Sequence, residues 1–343
     1  MPTNRNRPDP IRPAGGITFV LAASLSFGLA CAESKSKDDP TPGNEGPFKS
    51  VEVVANAPSS YSSPRGGVPL SDGGIAFIAT LEGTLAAQAP EGGERIAILR
   101  KGGGAQDVQV LYSGDQLVNP LDIAISLDEK TLYLADPAGG AEGSGAILTL
   151  AISGGEPSEL LAGYAPRAVT VADDGRVYFS GVDPESREAG VFELRDGVAV
   201  SAFQGAPLVD PSGIAVQADG TLLVADTRLF ERTPGVGSEA GIVRIKQGQA
   251  SIWATGFSTG YPAGIALTLD EKTLIISGEG PDRSDTVYLV DMAKPSAPPQ
   301  AITASFSAYQ DASAGLKRAH DSNTFIWASL AADGGTVFRI VAN

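Results

Sequence analysis

The stretch P-S-G-I-A-V-Q-A-D-G-T-L-L-V-A-D (211–226) holds a complete structural phrase. A proline opens a short apolar strand of small residues, Asp219-Gly220 marks a tight turn, and a second apolar strand ends on Asp226. Asp-Gly between two β-rich runs is a strong hairpin signal, because both residues tolerate the positive φ that tight turns require. The phrase recurs along the chain. Its turn carboxylates are Asp72, Asp128, Asp174, Asp219, Asp270 and Asp321. Eight residues before each stands Pro64, Pro120, Pro166, Pro211, Pro262 and, as the exception, Ser313.

A repeat of roughly 45–55 residues built from short strands is the mark of a β-propeller. Third strands follow as RIAILR (95–100), AILTLA (146–151), GVFELR (190–195), GIVRIK (241–246), TVYLVD (286–291) and TVFRIV (336–341). Fourth strands follow the first five but not the sixth, where the chain stops at Asn343. FKSVEVVA (48–55) precedes the first repeat and has no partner of its own. It is expected to complete the last blade and close the ring, since an open ring would expose strand edges. The expected fold is all-β, a six-bladed propeller over residues 48–343.

Composition agrees. Of 343 residues, 42 are Gly and 24 Pro, and only 19% are charged, which suits many short strands joined by turns. Phe192, Phe203, Trp253, Trp327 and Phe338 sit in strands and are expected to pack between blades.

Residues 1–31 read as a processing signal. Arg5, Arg7 and Arg12 precede the uncharged run GITFVLAASLSFGLA (16–30) and then Cys31, the chain's single cysteine. Two processing routes are open. Ala30-Cys31-Ala32 suits ordinary cleavage, whereas Gly28-Leu29-Ala30-Cys31 resembles a bacterial lipobox, departing from it at Gly28, and makes Cys31 the lipidation site. The polar run 32–47 reads as a disordered tether. An extracytoplasmic, lipid-anchored or secreted monomer follows, meeting a membrane only through Cys31. Without residues 1–30, the 25 Lys and Arg become 22 and the 40 Asp and Glu become 39, a net charge of −17. So acidic a domain is a poor match for nucleic acid.

The phrase at 211–226 resembles that of the six-bladed β-propeller superfamily that includes NHL-repeat proteins and gluconolactonase/regucalcin-type enzymes. The resemblance covers residues 48–343. It implies that the loops before each repeat, and those between second and third strands, share a functional face around the channel mouth. The Asp turns would lie on the opposite face. Lactonases of that type hold a divalent cation with carboxylate and Asn oxygens near the start of several blades, as hard cations prefer. Here the positions one past each anchor are Arg65, Leu121, Arg167, Ser212, Ala263 and Ala314, none a good ligand, and Asp122 is the nearest carboxylate. A channel-mouth site of Arg65, Asp122, Arg167 and Ser212 remains, in which the two arginines either grip an anion or pair with Asp122.

Asp136, Asp183, Asp226 and Asp282 lie in or beside long loops and are the oxygens a Ca²⁺ ion would draw on, although no loop has the alternating spacing of a dedicated calcium site. No other cofactor is expected. The loop 226–241 carries Arg228, Phe230, Glu231 and Arg232, a mixture suited to an interface rim. The single histidine, His320, falls beside an Asp turn and is expected to be solvated. The leading functional expectation is a binding platform for a protein or glycan at the cell envelope. The alternative is a metal-dependent lactonase or esterase-like hydrolase with a divergent site.

Overall fold

The computed structural model describes residues 48–56, 59–87, 96–102, 108–140, 143–231, 238–279, 284–308, 314–329 and 335–342. Six antiparallel four-stranded sheets follow one another around a ring. The first blade is β2 (Tyr61–Pro69), β3 (Ile75–Leu81), β4 (Ile96–Lys101) and β5 (Val108–Ser113), with a short helix α1 (Gly83–Ala87) after its second strand. Next come β6 (Asp122–Ile125), β7 (Thr131–Asp136), β8 (Ala146–Ala151) and β9 (Ser158–Ala162), and then β10 (Ala168–Val171), β11 (Val177–Val182), β12 (Ala189–Arg195) and β13 (Val198–Gln204). The fourth blade is β14 (Pro211–Val216), β15 (Leu222–Glu231), β16 (Ser238–Lys246) and β17 (Gln249–Phe257). The fifth is β18 (Ile265–Leu267), β19 (Thr273–Glu279), β20 (Ser284–Asp291) and β21 (Gln300–Ala308).

The sixth sheet runs β1-β24-β23-β22, from β1 (Phe48–Ala55), β22 (Ala314–Arg318), β23 (Phe325–Ser329) and β24 (Thr336–Ala342). Phe48 lies opposite Ala342 and Val53 opposite Phe338, so the two ends of the chain pair antiparallel. The ring is closed as the unpaired 48–55 segment predicted. Phe48 is buried and meets Phe325 edge-on at 5.7 Å between ring centroids, which ties the closure to the core.

Stability comes from burial between neighbouring sheets. Val68, Ala76 and Ile78 of the first blade pack with Ile123, Leu132, Leu134 and Leu148 of the second, and each later junction repeats this apolar contact. Phe192, Trp327 and Phe338 are fully buried and pack against the preceding blade as expected, whereas Phe203 and Trp253 are half-buried. Around the axis the inner strands converge until only small residues fit. A Cβ on Gly264 would stand 1.8 Å from the Leu316 backbone nitrogen, so no other residue allows the fifth and sixth blades to meet there.

The Asp turns behave as their sequence implies. Asp72, Asp128, Asp174, Asp219 and Asp270 each accept a backbone N–H from two residues ahead, at 2.8–3.2 Å. The two LDEKTL turns add a link. Their Glu129 and Glu271 take left-handed conformations, φ 53° and 54°, and accept the backbone N–H of Ser71 and Ala218 from the preceding blade. The longer turn therefore joins neighbouring blades.

Candidate functional site

At the anchor end of the axis the channel is filled. Asp122 opens β6 at a position where the other blades carry Gly66, Ala168, Gly213, Gly264 and Gly315. Its carboxylate points inward and is 1% exposed. Lys317 of β22 reaches it from across the axis, where other blades carry Val68, Ala124, Thr170, Ala215 and Ala266. The ammonium donates to Asp122 Oδ2 at 2.6 Å and to the Val169 carbonyl at 2.8 Å, while the Val169 N–H donates to the same carboxylate oxygen at 3.0 Å. Burial pushes the Asp122 carboxyl up, and the Lys317 charge draws it part of the way back. Asp122 is thus an internal counter-ion to Lys317. It is not exposed at the channel mouth, and neither arginine pairs with it. Ser212 is also fully buried, its hydroxyl directed to the Ala263 carbonyl at 3.5 Å.

The two arginines instead latch neighbouring blades. Arg65, one residue past Pro64, donates to the Asn119 side chain, just before Pro120. Arg167, one residue past Pro166, forms an ion pair at 2.5 Å with Asp210, just before Pro211. Asn119 and Asp210 are held in turn by Asp136 and Asp226. Asp136 accepts the N–H groups of Val118, Asn119 and Ala138, and Asp226 those of Val209, Asp210 and Arg228, at 2.7–3.1 Å. Both carboxylates are fully buried and occupied by backbone donors. In the third and fifth blades the roles of loop and strand are exchanged, and a loop carbonyl accepts from a strand N–H. Tyr164 O accepts from Val182 N, and Ser258 O from Glu279 N, at 2.8 and 3.1 Å. The fifth blade needs Gly278 for this approach, since a Cβ there would stand 2.1 Å from Ser258 O.

Asp136, Asp183 and Asp226 are therefore not gathered around a common point. Asp183 caps its own loop, accepting from Glu185 N and Ser186 N at 3.0 and 2.7 Å. Among the described residues no group of three His, Cys, Asp or Glu side chains is placed to hold a metal. Asp282, Arg232 and Cys31, with residues 1–47, lie outside the described residues.

The 226–241 loop is largely hairpin, with Phe230 opposite Glu239 and Glu231 opposite Ser238. Leu229 is buried and Phe230 is 38% exposed. Beside this hairpin the face carries a residue that sequence reading did not single out. Tyr261, just before Pro262, is 40% exposed, and its hydroxyl is hydrogen-bonded by Arg167. The Arg167 guanidinium carbon lies 5.5 Å from the ring centroid, a cation–π contact. Thr227 Oγ1 donates to Asp210 Oδ2 at 3.0 Å, which completes the chain Thr227–Asp210–Arg167–Tyr261.

At the opposite end the inner strands finish around an axial cavity, and His320 lies there rather than in solvent. It is half-buried, and its Nε2 stands 3.0 Å from the Ile125 carbonyl oxygen. Arg318 beside it bridges the channel mouth to Asp173 of the third blade at 3.0 and 3.1 Å. His320 follows the end of β22 by two residues, so a position beside the turn in sequence lies at the axial cavity in space.

No protein-family model matches the chain, and no curated protein matches it. Solved structures of similar fold include a gluconolactonase of Xanthomonas campestris (15% identity, 85% of this chain and 89% of that one, TM-score 0.58). Another is the PQQ-bound aldose sugar dehydrogenase of Streptomyces coelicolor (13% identity, 86% and 98%, TM-score 0.60). At such identity the likeness is one of fold, the six-bladed β-propeller.

Proposed function

We propose that this propeller is a binding module that captures a protein or glycan through its anchor face, centred on Tyr261. The observation that carries the reading is the mounting of that ring. Tyr261 is 40% exposed yet held by Arg167, which is itself fixed on Asp210. A fixed aromatic surface loses little conformational entropy on binding, and aromatic and Arg side chains are the ones enriched where interfaces concentrate their energy. Val118, Val209 and Phe230 are exposed on the same face and supply apolar surroundings.

The alternative, a metal-dependent lactonase, needs a cation near Asp122. That side of the carboxylate is taken by the Lys317 ammonium, which would repel a second cation. Export of the chain and acylation at Cys31 belong to the same proposal, and the run 16–30 before Cys31 supports them.

The test is crosslinking in the producing cell, with full-length wild type, Tyr261→Ala and Phe230→Ala compared. Crosslinked partner should be lost from Tyr261→Ala and reduced in Phe230→Ala, at an unchanged melting temperature. Undiminished crosslinking by Tyr261→Ala overturns the proposal. Mass spectrometry of the mature N-terminus decides between an acylated Cys31 and a cleaved one.

A further inference from the structure

The axial cavity at the Asp-turn end lies at the other end of the channel from Tyr261 and has a composition of its own. Its volume is about 60 Å³, well below the roughly 300–1,000 Å³ of sites for drug-sized ligands, so its occupant is small. The walls are aliphatic, from Ile125, Val171, Val216, Ile265 and Leu267. Lys317 also lines it, 93% buried by its 7% exposure. An ammonium carries three donors, and among the described residues Lys317 uses two, on Asp122 and Val169. Arg318 and His320 line the same cavity. A carbonyl oxygen only accepts, so the His320 Nε2 facing Ile125 O carries the hydrogen.

We infer that this cavity binds a small monocarboxylate with a short aliphatic body. The carboxylate takes the remaining Lys317 donor, and the alkyl part lies against the five aliphatic walls. Hydrogen-bonding capacity selects the head group. Lys317, Arg318, the single histidine and one carboxylate, Asp173, line the cavity, and Arg318 is paired with Asp173 as Lys317 is with Asp122. A cationic ligand of the same size would bring a like charge beside the Lys317 ammonium. A neutral alcohol forms only an ordinary hydrogen bond where a carboxylate forms a charge-assisted one. The walls exclude a polar body such as a sugar, whose hydroxyls would lose water without finding partners. This inference stands on a different face from the proposed partner site and does not depend on it.

The test is calorimetry of the full chain with sodium butyrate, with butylammonium chloride and butanol as controls of equal length. Saturable butyrate binding is expected, with a melting temperature that rises with butyrate concentration and with weaker or no binding of the controls. Val216→Phe places a ring in the cavity from a half-buried position and should weaken butyrate by about tenfold or more. In the wild type, nuclear Overhauser contacts should join the butyrate methyl to Val171, Val216 and Leu267. Absence of saturable binding, equal binding of butylammonium, or contacts elsewhere on the protein overturns the inference.

Discussion

Lys317 Nζ lies 2.6 Å from Asp122 Oδ2 across the propeller axis, although the two residues are 195 positions apart in the chain. The pair joins the second and sixth blades through the channel and makes the buried Asp122 carboxylate a structural group. Removing one partner of a buried pair strands the other charge in a low dielectric, which costs about 3–5 kcal/mol. Lys317→Met should lower the unfolding free energy by about that amount in a denaturant titration. Adding Asp122→Ala should recover a good part of it, because no buried charge is then left alone. Additive losses in the double variant would show that the pair is not coupled.

Asp136 and Asp226 hold equivalent positions and should fail alike. Asparagine at either site turns an amide N–H₂ toward backbone donors and leaves buried N–H groups without acceptors. Asp136→Asn and Asp226→Asn should each cost about 1–3 kcal/mol per stranded donor. Calorimetric titration with Ca²⁺ should give the same trace for both variants and the parent. A Ca²⁺ signal lost with either substitution would restore these residues as ligands.

Ring closure depends on Phe48 as well as on strand pairing. Its side chain is 3% exposed and packs edge-on against Phe325. Phe48→Ala should destabilise the domain by about 3 kcal/mol or more. Faster hydrogen exchange should appear first in β24, which loses its outer neighbour. Unchanged exchange at Ile340 would mean that the ends separate without consequence.

The turn aspartates should set the acid limit of the fold. Lys246 and Thr221 hold the Asp219 carboxyl down to about 2, and Lys272 and Thr268 do the same for Asp270. A carboxyl depressed on folding stabilises above its unfolded pKa, and that contribution is lost as pH falls through the folded value. Melting temperature should therefore hold above about pH 4 and fall between pH 4 and 2. Asp219→Asn with Asp270→Asn should flatten that fall. Both groups are largely exposed, so added salt should also weaken the effect. A slope unaltered in the double variant would assign the acid sensitivity elsewhere.

Local sequence carried much of this architecture. The proline-to-aspartate spacing repeats because each inner strand has the same length between its anchor and its turn. The Asp side chain closes the turn through a contact two residues away, so the pattern needs no distant partner. The orphan strand 48–55 was readable because every other strand had a neighbour. The site was less accessible. Asp136 and Asp226 look like loop ligands in sequence, yet their partners are backbone N–H groups 17 and 18 or 16 and 17 positions back, contacts that composition cannot reveal. Arg65 and Arg167 stood out as channel-mouth cations, but their true partners precede the next anchor proline. The hairpin at Phe230 was hidden because its pairing extends past a shift in register between Asp226 and Phe230.

The blade, its six-fold recurrence and the closing strand are legible along the chain, since each is written in spacing and alternation that act over a few residues. What lies on the axis is set only once the ring has formed. Six inner strands meet there from points far apart in the chain, and only their convergence sets Lys317 against Asp122, turns His320 into a cavity wall and mounts Tyr261 on Arg167. Those contacts depend on how closely the strands approach, which the small residues beside the axis fix in three dimensions.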